Sequence, residues 1–160
     1  GVKDFMEIVV VSDSHGRNDI LNAIREKHPD AGLFIHCGDL EDDPMFYPGY
    51  IVVRGNNDYY GRFEDERIIP IGKHRIYVTH SHRFSYFSRS EQLSNRAKAL
   101  DCDIVCFGHT HVAYLDQVNG VTLLNPGSLS HARDGRPCSY AILDIDENEI
   151  RVEFKFEPEW

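Results

Sequence analysis

The sequence predicts an α/β fold in which two β-sheets pack face to face with helices outside. Three observations predict it. Apolar runs of strand length, MEIVVVS (Met6 to Ser12), AGLFIHC (Ala31 to Cys37) and YIVVR (Tyr50 to Arg54), occupy the first third with a helical pattern between the first two. Strands apolar on both faces belong to a covered, parallel sheet. The second half turns to paired strands, among them AYLDQV and VTLLN about Asn119-Gly120, a strong hairpin signal. Short motifs rich in Asp, His and Asn follow the strands, where open α/β sheets carry their function.

Each element has a local reason. Asn18 is placed to cap a helix running to about His28, with Ile20, Leu21 and Ile24 on its inner face and Pro29 ending it. Leu40 to Gly49 holds prolines and acids and reads as loop. ERIIPIG and HRIYVTH form a predicted hairpin about Gly72-Lys73. Ser90 to Leu100 reads as a helix with Leu93, Ala97 and Leu100 on one face. DIVCFG is a further strand, and SYAILDID with EIRVEFKF closes the pattern as a hairpin whose acids (Asp144, Asp146, Glu147, Glu149) face water. A length of 160 residues is expected to form a single domain over residues 1–160.

Composition excludes several classes of function. With 41% hydrophobic and 27% charged residues the chain reads as an ordinary globular protein. No apolar stretch approaches the roughly 20 residues that span a bilayer. No basic-then-apolar leader opens the sequence, and Cys37, Cys102, Cys106 and Cys138 form no CxxC pair. A cytoplasmic protein with reduced thiols, and no membrane partner, is therefore expected. The net charge of −9, without a Lys/Arg cluster, argues against binding bulk nucleic acid. A small phosphate ester remains a suitable partner, because bound metal ions reverse the local field. A homo-oligomer is compatible with this composition.

The chemistry lies in a set of side chains at strand ends. Asp13 and His15 lie in SDSHG, Asp39 in CGD, Asn56 in GNND, His80 at the end of IYVTH, and His109 and His111 in GHTH. Strand ends on one edge of a sheet bring distant residues together, and a pair of divalent cations needs that convergence. A carboxylate shared by both cations sets their spacing at about 3.5–4 Å. Asp39, standing after a glycine at a strand tip, is the expected bridge. Asn56 offers a neutral carbonyl oxygen, and Gly108 removes a Cβ where the chain bends at the site.

In this order D-x-H, G-D, G-N-x-D, a lone His and G-H-x-H resemble the motifs of the calcineurin-like metallophosphoesterases. The short length and the NPGS run (Asn125 to Ser128) are similar to the small prokaryotic YfcE-like phosphodiesterases. The resemblance covers the chain from about Met6 onward. It implies a four-layer αββα sandwich of two mixed sheets flanked by helices. It also implies two divalent metal ions: one on Asp13, His15, Asp39 and His111, the other on Asp39, Asn56, His80 and His109. The donors are imidazole, carboxylate and amide without thiolate, which suits manganese first and iron, zinc, cobalt or nickel otherwise. The expected reaction is hydrolysis of a phosphodiester by a hydroxide bridging the two ions, with Asp39 and Asn56 among the catalytic groups and Asn56 stabilising the phosphoryl oxygens.

One position departs from the phosphatase-like members, many of which carry His as the third residue of G-N-x-D. Here it is Asn57, and an amide supplies no proton near neutral pH. His82 is the candidate replacement as proton donor, Arg17 a candidate phosphate contact, and Asp58 a candidate anchor of the turn. His28 is explained by its helix end and His36 by a place in the core or behind the ligands, while His74 and His131 look exposed. Tyr59-Tyr60 reads as packing. Phe84, Tyr86 and Phe87 read equally as packing, a pocket wall or a dimer surface. Two alternatives stand beside the phosphodiesterase reading: a phosphomonoesterase or nucleotide phosphatase, and a non-catalytic protein-interaction scaffold on the same fold.

Overall fold

The computed structural model describes residues 6–59, 61–133, 135–158 and 160. Two five-stranded mixed sheets form its centre. The first takes β1 (Met6–Val11), β2 (Leu33–His36), β3 (Tyr50–Val52), β9 (Ser139–Ile145) and β10 (Ile150–Phe156) in the order β10-β9-β1-β2-β3. The second takes β4 (Glu66–Ile71), β5 (His74–Thr79), β6 (Ile104–Phe107), β7 (Ala113–Val118) and β8 (Val121–Pro126) in the order β4-β5-β6-β8-β7. Between β1 and β2 runs α1 (Asp19–Lys27); between β5 and β6 runs α2 (Arg89–Ala99). Among the described residues no helix is long and apolar enough to cross a membrane.

Three apolar clusters bind four layers. Ile8, Val10, Ile35, Cys37, Ile76, Val78, Ile104, Cys106 and Leu124 fill the space between the sheets. Val9, Val11 and Phe34, on the alternate face of the first sheet, pack on Leu21 and Ile24 of α1. Tyr77, Val105, Phe107 and Leu123 pack on Leu93 and Ala97 of α2. The period-two alternation of β1 thus feeds two cores at once, which is why its sequence is apolar throughout. Among the described residues each outer layer contains a single α-helix, fewer than a fully flanked sandwich implies. Asn119 and Gly120 have φ of 53° and 81°, the pair of left-handed residues a tight hairpin needs. All four cysteines are free thiols, and Cys102 precedes β6 instead of lying in it.

Several local expectations are corrected. Leu40 to Gly49 contains a short 3₁₀ turn, Pro44–Phe46, begun by Asp43, whose side chain accepts from the Met45 N–H. Asn18 does occupy the cap position of α1, but its side chain makes no capping bond. Instead it donates to the Leu40 carbonyl and accepts from Ser14 Oγ. β3 stops at Val52 because Val53 and Arg54 turn away to pair with Glu64. His28 binds Glu7 and Tyr140 through its two ring nitrogens, a firmer hold than a helix-end charge alone.

His74 is buried, against expectation, whereas His131 is exposed. At the start of β5 its Nδ1 lies 2.6 Å from Asp103 Oδ2 and its Nε2 2.6 Å from the Asp146 carbonyl. It therefore ties the second sheet to the β9–β10 turn of the first. Burial acts to lower its pKa, but the bond to Asp103 and that to the Asp146 carbonyl prevail and raise it. A raised folded-state value gives stabilisation that is complete below the unfolded value and disappears as pH rises through the folded one. His74→Gln is expected to cost about 1–2 kcal/mol near pH 6, kept modest because Asp103 faces water, and less near pH 9. Urea unfolding of both proteins at the two pH values checks this; an equal cost at both would remove the charge from the explanation.

Candidate metal centre

Loops after five strands meet at one edge of the sandwich. β1, β2 and β3 run parallel in the first sheet, as do β5 and β6 in the second. Backbone bonds extend this pairing past the strands: Asp13 N–H to Gly38 O, His15 N–H to Asp39 O, and Gly108 N–H to His80 O. Asp58 does anchor the turn after β3. Its carboxylate accepts from the N–H groups of Asp39, Glu41 and Gly55, which locks the tips of β2 and β3 together.

The seven predicted ligands form one continuous group. His111 Nε2 lies 3.2 Å from His15 Nε2 and 3.3 Å from Asp13 Oδ1. Asp39 Oδ2 stands 3.6 Å from His15 Nε2 and 3.4 Å from His80 Nε2. Asn56 Oδ1 is 3.0 Å from His80 Nε2 and 3.1 Å from His109 Nδ1, which completes the far end. Asp13, His15 and His111 form one cation-sized triad, and Asp13, Asp39 and His80 a second. Asp13 belongs to both, so the shared carboxylate is not uniquely Asp39 in this geometry.

The donor set fits metal ions on the structure's own terms. Asp13 is fully buried, and its Oδ1 has no hydrogen-bond partner although three imidazole nitrogens lie within 3.7 Å. A buried ionised oxygen without a partner is costly, and a cation would repay it. The imidazoles are held from behind: His80 Nδ1 donates to the Cys37 carbonyl and His111 Nδ1 to the His131 carbonyl. Each proton is thereby fixed on Nδ1, leaving the Nε2 lone pair facing inward.

Charge balance agrees. Burial raises the Asp13 carboxyl, but the neighbouring imidazoles of His111, His15 and His80 hold it well below the carboxylate range. Asp39 behaves alike: burial opposes, while His80 and the Asn57 N–H prevail and lower it. The nearby Asp13 carboxylate raises His15, and the two carboxylates overcome burial to raise His80. Burial and then the charge of His80 push His109 down to about 4, so its ring stays neutral. Ionised carboxylates facing imidazoles that seek positive charge are the electrostatic signature of a site built for cations.

Residues 6–148 match the calcineurin-like phosphoesterase superfamily domain. The chain belongs to this superfamily. It is similar to the probable metallophosphoesterase YsnB of Bacillus subtilis (strain 168), with 38% identity over 153 residues, 93% of this chain and 90% of that protein. A phosphodiesterase of Methanocaldococcus jannaschii is 27% identical over 168 residues, 91% of this chain and 97% of its own. A crystal structure of a predicted phosphoesterase from Streptococcus pneumoniae TIGR4 superposes with a TM-score of 0.89 at 31% identity, over 97% of this chain and 91% of that one. The two mixed sheets described above are thus the superfamily fold.

The superfamily motifs have a steric reading here. Asp13, His15, Asp39, His109 and His111 all have positive φ, between 47° and 78°. Such strain costs of order 1–3 kcal/mol per residue and persists only where surroundings overdetermine it. The glycines beside them are needed for approach. A Cβ on Gly108 would lie 2.1 Å from Ser12 Oγ and 2.9 Å from Asp13 Oδ2.

Sequence reading missed the groups that support the ligands. Ser12 Oγ donates to Asp13 Oδ2, and the hydroxyls of Ser128 and Ser130 both donate to the Asp13 carbonyl. Asn125 ties Gly108 and Thr110 through its amide. The signal was the NPGS run, whose polar residues follow an apolar strand. His36 lies behind the ligands, as one of its two readings had it. Burial lowers it to about 4, and its Nδ1 accepts from the Gly38 N–H, so Nε2–H donates to Ser14. Arg17 is engaged elsewhere, with Leu129 O, Glu157 and the Trp160 ring. His82 flanks the Asn56 end, its ring 5.5 Å from that of His80 and 6.2 Å from that of His109.

Proposed function

We propose that this phosphoester hydrolase is a phosphodiesterase that holds two divalent cations, manganese first among the candidates, and cleaves a small phosphate ester. The observation that carries the reading is the buried, unpartnered Asp13 Oδ1 amid three imidazole nitrogens, continuous through Asp39 and His80 with Asn56 and His109. Bound cations supply an activated water and neutralise charge on the phosphoryl oxygens. Asp13, His15, Asp39 and His111 hold one; Asp39, Asn56, His80 and His109 the other, with Asp39 shared. Asn56 is the exposed member of the set, and its amide is assigned to the phosphoryl oxygens. A cytoplasmic location accords with four free thiols.

Asn57 is not a proton donor in this scheme. Its backbone N–H and side-chain amide both donate to Asp39, at 2.8 and 3.1 Å, so its role is to aim that carboxylate. His82 is assigned the donor role because its ring flanks the Asn56 end, 6.2 Å from that of His109; burial followed by the charge of His80 lowers its pKa, which makes its protonated form a stronger but scarcer acid. General acid catalysis is worth roughly 100- to 10,000-fold and matters most for poor leaving groups. His82→Gln should therefore slow alkyl esters far more than 4-nitrophenyl esters; equal slowing of both would reassign His82 to positioning.

The reading as a whole is tested with bis(4-nitrophenyl) phosphate against 4-nitrophenyl phosphate across a panel of divalent metals. Faster diester hydrolysis is expected. Faster monoester hydrolysis would establish the phosphomonoesterase alternative. A metal-loaded protein inert toward both would restore the scaffold reading.

A further inference from the structure

Three cavities open beside the metal centre, and their linings differ in sign. The one next to Asn57 is lined by Glu41, Asp42, Asp43 and Asp58. The one behind His82 carries Glu64, Asp65 and Glu66, against Arg83 and Arg96. The third, with a volume of about 750 Å³, touches the centre through His109 and has no carboxylate among its described lining residues. Its wall is the rings of Tyr86, Phe87, Phe107 and Tyr114 with Arg89 and Arg133. In a chain of net charge −9, a basic and aromatic cleft beside the metals is where an anionic ester is drawn.

Two details point to a planar occupant. Tyr86 and Phe87 are 78% and 94% exposed, with rings 5.3 Å apart and at 90° to one another. Large rings held open to water at the rim of a cavity offer exposed faces for stacking. Arg89 has a buried Nε without a hydrogen-bond partner among the described residues, and its contact to the Phe84 carbonyl is long at 3.5 Å. A guanidinium so placed is short of an acceptor. Phe107 and Tyr114, edge to face at 6.2 Å, close the floor.

We propose that this cavity is the subsite for the non-leaving substituent of the diester, and that the substituent carries a planar aromatic ring, as a nucleoside does. The ring stacks on the face of one of Tyr86 and Phe87 and meets the other edge-on, while Arg89 and Arg133 attract the ester anion. The proposal rests on the phosphodiesterase reading of the metal centre.

The test compares thymidine 5′-(4-nitrophenyl phosphate) with methyl 4-nitrophenyl phosphate, which share a leaving group. The native protein should favour the thymidine ester in kcat/KM. In Tyr86→Ala, Phe87→Ala and the double variant that preference should fall roughly 5- to 150-fold, the range that one stacked base is worth. These side chains face water, so the fold is retained. A loss shared equally by both esters, or a change of oligomeric state with the preference intact, overturns the proposal. Calorimetry with thymidine 5′-monophosphate and methyl phosphate on chelator-treated protein separates the two readings. Tighter nucleotide binding without hydrolysis of either ester keeps the subsite and removes the phosphodiesterase. Equal binding of both phosphates removes the subsite.

Discussion

Asp39→Asn is expected to lower turnover by at least about a thousandfold and to cut bound metal. The substitution preserves shape and still accepts from the Asn57 N–H, so it removes the charge and the acceptor of the Asn57 side-chain amide. That charge lies between His15 and His80, 3.6 and 3.4 Å from their Nε2 atoms. On the proposed reading that carboxylate helps hold the cations, and a bound cation is worth several kcal/mol of transition-state stabilisation, at 1.36 kcal/mol per tenfold. Without metal the variant should lose only modest stability, because the attraction of His80 for the lost charge is partly offset by relief of the repulsion from Asp13. Metal content by mass spectrometry, rates after chelator treatment and thermal melting are the three measurements. Undiminished activity in chelator-cleared Asp39→Asn would refute the mechanism, and a collapsed melting temperature would move the explanation to folding.

The second large effect comes from a single methyl group. Gly55→Ala places a Cβ 2.2 Å from Asp39 Oδ1 and 2.4 Å from Asp39 N. The first atom belongs to a side chain, but the second is backbone, held by the Asp58 carboxylate at 2.9 Å. Neither can retreat without parting the tips of β2 and β3. Overpacking of this kind typically costs 1–3 kcal/mol, and here it also displaces the Asp39 carboxylate, so metal affinity should fall with stability. Gly32→Ala is the control. Its Cβ would meet the flexible side chain of Met6 at 3.2 Å, and a loss under about 1 kcal/mol is expected, with metal binding intact. Denaturant unfolding with and without metal distinguishes the two glycines; equal behaviour would sink the steric account.

What could be read from the chain alone follows from how local each signal is. The convergence of Asp13, His15, Asp39, Asn56, His80, His109 and His111 was legible because each follows an apolar strand, and strand ends converge by topology. The sandwich was legible because β1 is apolar on both faces. Asn18 misled because Ser14, four residues earlier, competes for its side chain. His74 misled because its partners, Asp103 and the Asp146 carbonyl, come from distant segments. Arg17 misled for the same reason, its partners lying at Leu129, Glu157 and Trp160. Long-range polar partners leave no periodic trace in a sequence. The cavity by Tyr86 was half legible: the rings were noticed, but only their juxtaposition with Arg89, Arg133 and His109 gives them a use.

β1 finds one neighbour early and the other very late. Its parallel partner β2 comes within a few dozen residues, whereas β9 pairs Leu143 with Ile8. Such distant closure is slow in any polypeptide. While a nascent chain emerges from the ribosome, one flank of β1 must wait with its amides and carbonyls unpaired. The Ser128 and Leu129 bonds onto Asp13 and Ser12 belong to that same late chapter. Vectorial synthesis therefore delivers the pieces of the reactive cleft in order but assembles it only at the end, so newly made protein should gain its cations as a final act of maturation.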